Sequence, residues 1–246
     1  MTEDLSILTR SGTAPDQTLR YGTANEQLAD VRYGAQSAQR PLLVLIHGGF
    51  WKPQYDRAHA QAMSTALAAA GWSVLTLEYR RVPAQPDATL QDITYAIQRL
   101  PARLDRHNGQ VLLVGHSAGG HLALWAAANA VSKALCGVLA LAPAADLKRV
   151  HRLNLGDGAV QKFLGTDPAE RADIDPMYLP APTAPVTILQ GALDEVVPPA
   201  VAQSYCASFP KTRLLLLPTA GHFALIDPMS SAWPAVVQEL RQLSGV

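Results

Sequence analysis

Three residues of the types that acyl transfer requires, a hydroxyl nucleophile, a carboxylate and an imidazole, occur in the order Ser117, Asp194, His222. Ser117 is central in Gly115-His116-Ser117-Ala118-Gly119, between the apolar run 111–114 and the segment 120–129, which has the composition of a helix. A serine hydroxyl is a weak nucleophile. It needs a tight turn that projects it, a base that takes its proton, and N–H groups that receive the negative charge formed in attack. The G-x-S-x-G spacing supplies the turn, because glycines on either side let a strand and the following helix approach closely around the serine. A Gly and Ser turn capping an ordinary helix would carry the same five letters, so the weight rests on what accompanies them.

His222, in Ala220-Gly221-His222-Phe223, follows the apolar run 213–217, and Asp194, in Gly191-Ala192-Leu193-Asp194-Glu195, follows the run 186–190. A base needs a carboxylate to hold its tautomer and to stabilise the imidazolium. Asp194 is placed for that role. Asp146 and Asp227 compete for it, the first just after a strand and the second just after His222, but neither lies in the loop where a nucleophile elbow expects its acid. His47-Gly48-Gly49-Phe50-Trp51 follows another apolar run, 42–46. Its backbone N–H groups at Gly49 and Phe50, with that of Ala118, are expected to form an oxyanion hole. His116 and His121 flank the serine and read as structural. His59, His107 and His151 show no metal-ligand spacing and read as surface or core residues, so no metal and no cofactor is expected.

These residues must be positioned by a sheet. The runs 42–46, 72–77, 111–114, 138–141, 186–190 and 213–217 read as buried strands. Between them lie helix-forming segments at 58–70, 90–104, 120–129 and 198–209, and another closes the chain at 233–243. Alternating strands and helices imply a mainly parallel sheet with right-handed crossovers, which brings the three loops carrying Ser117, Asp194 and His222 to one sheet edge. Weak alternation in the first forty residues allows edge strands at 18–21 and 28–33. The stretch 144–185 is rich in proline, glycine and aspartate, with only 160–164 reading as helix; its length marks it as a functional, cap-like insertion. Its only aromatic residues, Phe163 and Tyr178, together with Trp51 and Phe50 from the opposite side, are the candidates for lining a substrate pocket.

Composition narrows the classes further. With 246 residues, 48% hydrophobic and 16% charged, one sizeable α/β domain is expected. Lysine plus arginine equals aspartate plus glutamate at 20 each. That balance lacks the basic footprint of a nucleic-acid binder. No apolar run approaches a membrane span, and the first ten residues lack a leader pattern, so a cytoplasmic protein acting on a small molecule is expected. Cys136 and Cys206 have no C-x-x-C spacing and read as buried small hydrophobes. Monomer and homodimer are both open.

From residue 42 onward the chain resembles the α/β-hydrolase superfamily. Within it, His47-Gly48-Gly49-Phe50-Trp51 resembles the HGGxW motif of kynurenine formamidases (arylformamidases), and Gly115 to His121 resembles their GHSAGGH pattern. Related hormone-sensitive-lipase-like esterases carry HGGG and GDSAGG instead. The resemblance implies a central sheet with helices on both faces and hydrolysis of N-formyl-L-kynurenine to L-kynurenine and formate through a formyl-enzyme. A carboxylesterase for short acyl or aryl esters would use the same residues. A silent binding module that kept the fold would show a broken triad or a blocked hole, and this sequence has neither.

Overall fold

The computed structural model describes residues 3–246. Eight strands form one sheet: β1 (Gln17–Arg20), β2 (Leu28–Arg32), β3 (Leu42–Ile46), β4 (Val74–Leu77), β5 (Val111–His116), β6 (Leu135–Leu141), β7 (Val186–Gly191) and β8 (Arg213–Leu217). Their spatial order is β1-β2-β4-β3-β5-β6-β7-β8. The first two strands pair antiparallel and β2 runs antiparallel to β4. Every pair from β4 to β8 is parallel. The weak alternation of the first forty residues thus does encode two strands at the sheet edge.

The central strands are apolar throughout because both sheet faces are covered. In β3, Leu42, Val44 and Ile46 enter the larger core cluster with Ile93 and Ile97 of helix α2 (Pro86–Arg99) and Leu122 of helix α3 (Ala118–Ala128). Leu43 and Leu45 point the other way, into a second cluster with Met63 and Leu67 of helix α1 (Gln61–Ala69). β6 begins earlier than its apolar core suggests, since Leu135 pairs with Val111 across a register shift between Val111 and Leu112. Helix α2 starts with Pro86 in its first turn and ends before Pro101, so the apolar period that continues to Leu104 crosses a helix boundary.

The stretch 144–185 holds more structure than one short helix. Asp146 caps helix α4 (Leu147–Arg152) by accepting from the Arg149 N–H at 2.8 Å. Helix α5 (Leu155–Leu164) follows, with Gly156, Asp157 and Gly158 left-handed. Leu147, Val150, Val160, Phe163 and Ile174 belong to the main core cluster. Helix α6 (Pro199–Ser208) lies between β7 and β8, and α7 (Trp233–Ser244) covers the second face through Val236 and Leu240. Among the described residues, no helix is long and apolar enough to cross a membrane.

Candidate active site

Ser117 joins β5 to α3 with φ 56° and ψ −119°, outside the regions a non-glycine residue prefers. The flanking glycines hold the turn in that state. A Cβ on Gly115 would lie 2.2 Å from the Gly119 carbonyl oxygen, and one on Gly119 would lie 2.1 Å from that of Ile46. Any side chain at either position would push strand and helix apart.

The loops that carry Asp194 and His222 meet at the ends of β7 and β8. Gly191 has no room for a Cβ, which would sit 2.4 Å from the Ala220 carbonyl oxygen, and the Leu193 N–H donates to that same oxygen at 3.0 Å. His222 Nδ1 then meets Asp194 Oδ2 at 2.7 Å. Every acceptor site of the carboxylate is engaged in the same direction: Oδ1 accepts from the N–H groups of Val196 (2.9 Å) and Val197 (2.7 Å), and Oδ2 also accepts from Gln190 Nε2 (3.0 Å). Asp194 and His222 are both buried. The competing carboxylates are occupied elsewhere. Asp146 caps α4 and accepts from Ser204 Oγ at 2.6 Å, while Asp227 pairs with Arg10.

The loop after β3 turns sharply. The Lys52 N–H donates to the Gly49 carbonyl at 3.0 Å, and the two residues between, Phe50 and Trp51, have φ 52° and 54°. Bulky residues in the left-handed region cost about 1–3 kcal/mol each and persist only where the surroundings impose them. Here the supports are buried. Tyr79 Oη donates to the His47 carbonyl at 2.8 Å and its ring stacks on the His47 ring at 4.5 Å. His47 Nε2 meets Glu78 Oε1 at 3.2 Å. Burial works against the Glu78 carboxylate, but His47, Arg81 and the Arg57 N–H together hold its pKa down to about 2. Gly48 approaches the nucleophile so closely that a Cβ would lie 3.0 Å from Ser117 Cβ. Among the described residues, no backbone carbonyl takes the N–H of Gly49, Phe50 or Ala118.

His116 sits beside the base, its ring centroid 4.5 Å from that of His222, and its Nε2–H donates to the His222 carbonyl at 3.2 Å. Burial, and then the neighbouring His222, push its pKa well below the ordinary histidine range. A neutral His116 anchors the loop without placing a charge beside His222. His121 donates from Nε2 to the Ile174 carbonyl at 2.9 Å and is structural.

Ser117 and His222 open into a cavity of about 340 Å³ with Gly49, Phe50, Leu8, Thr9, Tyr55, His59, His116, Val196 and Phe223 in its wall. At four residues the structure differs from the sequence expectation. Trp51 is buried and stacked on Phe163 at 4.8 Å with 11° between the rings, and both line a separate cavity on the far side of Phe50, not the one that holds Ser117. The left-handed turn at Phe50 and Trp51 carries the indole into the core instead of toward the serine. Tyr178 is 54% exposed beneath Lys148, on a 3-10 turn away from the site. His59, expected at the surface or in the core, is a wall residue, its pKa pushed down to about 4 by burial and by His47. Leu8 and Thr9 carry no motif that could have announced them. Phe223 adjoins His222, and Tyr55 lies four residues past Trp51, so proximity to a motif was their one signal.

The description BD-FAE fits residues 30–208 as a family model. The chain belongs to the BD-FAE family. It is 27% identical to esterase LipC of Mycobacterium tuberculosis in an alignment of 239 positions that covers 84% of this chain and 59% of that protein's length. Kynurenine formamidase of Drosophila melanogaster is 29% identical in an alignment of 110 positions that covers 42% of this chain and 35% of that one. Esterase B of Lactobacillus rhamnosis superposes with a TM-score of 0.77 at 22% identity, covering 97% of this chain and 88% of the other. The fold is therefore the α/β-hydrolase fold.

Proposed function

We propose that the protein is a serine esterase that hydrolyses small, neutral carboxylic esters. In this reading Ser117 Oγ attacks the ester carbonyl while His222 takes its proton. Asp194, hydrogen-bonded at Nδ1, keeps the other ring nitrogen free to accept. The N–H groups of Gly49, Phe50 and Ala118 receive the tetrahedral oxyanion. His222 then protonates the departing alkoxide, and water, deprotonated by the same imidazole, releases the acid from the acyl-enzyme.

The observation that carries the substrate class is the wall of the cavity, which among the described residues contains no Asp, Glu, Lys or Arg. An apolar cavity of about 150 Å³ holds benzene; one of about 340 Å³ suits a substrate of roughly a dozen heavy atoms. N-formyl-L-kynurenine brings an ammonium and a carboxylate, and a charge buried without a partner costs several kcal/mol. The formamidase reading shares the triad and the HGGFW motif, and the 110-residue match supports it, yet it needs charged partners that this wall lacks.

Steady-state kcat/KM for phenyl butyrate, formanilide and N-formyl-L-kynurenine tests the choice. Formanilide has the formamide without the charged head group. The expected order is the ester first and N-formyl-L-kynurenine last, about a hundredfold or more below formanilide. A preference for N-formyl-L-kynurenine over both would replace the esterase reading with the formamidase one. Failure of a fluorophosphonate to label Ser117 would remove both.

A further inference from the structure

The cavity is not closed by the family core alone. Leu8 and Thr9 lie in a short 3-10 helix (Ser6–Thr9), upstream of the stretch 30–208 that the BD-FAE model matches, and yet both form part of the wall around Ser117. We propose that the N-terminal arm, residues 3–13, is a specificity wall: it limits the length of the apolar chain that an ester can place in this cavity. The inference rests on the esterase reading.

The arm is fastened at both ends and in the middle. At one end the Glu3 carboxylate accepts the Phe223 N–H, directly beyond His222. It reaches that position because Gly221 lacks a Cβ, which would lie 2.6 Å from Glu3 Oε1. In the middle, Ile7 is fully buried and Arg10 pairs with Asp227. Beyond Arg10, the Thr13 N–H donates to Thr65 Oγ1 at 3.0 Å, and the Thr13 carbonyl accepts from Arg32 Nη2 at 2.5 Å. An arm held in this way cannot swing aside for a longer substrate without breaking an ion pair and exposing Ile7. Ile7 lies inside the second core cluster, while Leu8 packs against that cluster and also lines the cavity, so the core holds in place the aliphatic surface that Leu8 offers to a substrate.

The chain that meets this wall can belong to the acid or to the alcohol of the ester, and two series separate the cases: p-nitrophenyl esters from acetate to octanoate, and alkyl acetates from ethyl to octyl. Each profile is taken as kcat/KM for every length relative to the shortest member, within one variant. Leu8→Ala makes room for about two methylenes and should raise the long-to-short ratio roughly tenfold in one of the two series. Leu8→Phe should lower it in that same series. Arg10→Ala, which frees the middle of the arm, should flatten the profile, and Arg10→Lys should restore it. Profiles parallel to wild type for both Leu8 variants, or shifts in the same direction, would overturn the inference while leaving the esterase reading standing. If wild type turns over no ester, the esterase reading falls. Labelling rates of Ser117 by alkyl fluorophosphonates of the same lengths then read the wall independently of turnover, and the same opposite shifts are required.

Discussion

Replacing Asp194 by asparagine tests the geometry of the site at one atom. Oδ1 accepts two backbone N–H groups, from Val196 and Val197, and these donors cannot turn away. The amide oxygen of an asparagine must therefore take the Oδ1 position, which puts its NH2 where Oδ2 now receives His222 Nδ1 at 2.7 Å and Gln190 Nε2 at 3.0 Å. Gln190 cannot relieve the conflict by flipping, since its Nε2 also donates to the carbonyls of Gly191 and Val197 at 3.2 and 3.1 Å. The NH2 can satisfy itself only by donating to Nδ1. That forces the proton of the imidazole onto Nε2, the nitrogen that should accept from Ser117. Loss of the correct tautomer in a triad costs about four orders of magnitude in kcat, equivalent to about 5.5 kcal/mol. The assay is kcat on phenyl butyrate at pH 8, with thermal melting to show that the fold is kept. Asp146→Asn and Asp227→Asn serve as controls and should retain turnover within about tenfold, since one keeps the helix cap and removes only its charge, worth about 0.3–1 kcal/mol of stability, and the other removes a partner of Arg10. Full activity in Asp194→Asn together with its loss in either control would refute the assignment.

Three further perturbations have definite signs. Gly49→Val places a β-branched residue at φ 109°, with its Cβ 2.5 Å from that of Tyr55, and should cut kcat by about a hundredfold through the displaced oxyanion donors; an effect confined to KM would count against the hole. Trp51→Ala and Phe163→Ala each break a buried stack and should destabilise by about 3–5 kcal/mol, seen as a lower denaturant midpoint, without changing the kcat/KM ratio of aryl to alkyl esters; a selective rise in KM for aryl esters would return these rings to the pocket. Burial pushes the Asp175 carboxyl up to about 6 from its ordinary 3.8, so the native state holds this proton more tightly than the unfolded chain does. Stability from this group is therefore present at low pH and lost as pH rises from about 4 through 6. Asp175→Asn should raise the melting temperature at pH 8 by several degrees and have little effect at pH 4; an equal shift at both values would mean that the carboxyl does not titrate in that window.

Much of this protein was legible in its order of residues because the signals are local. Unbroken apolar runs such as 42–46 and 111–114 can be satisfied only by strands covered on both faces, and their alternation with helices leaves few topologies. The elbow is legible for the same reason: a serine at φ 56° between a strand and a helix needs glycines two residues to either side, because their missing Cβ atoms make room for Gly119 and Ile46 carbonyls. Asp194 and His222 were readable as residues just past the ends of adjacent strands. What tertiary structure alone decided is what surrounds them. Trp51 looked like a pocket residue until the sign of its φ turned it into the core against Phe163. The support of the loop after β3 depends on Glu78 and Tyr79, about thirty residues from His47, where no spacing rule connects them. Leu8 shares a cavity wall with Ser117 because Glu3 reaches Phe223 and Arg10 reaches Asp227 across nearly the whole length of the chain. Backbone motifs repeat the few conformations that sterics allow, whereas a cavity wall is made by whichever side chains long-range packing happens to bring together, and no periodicity records that.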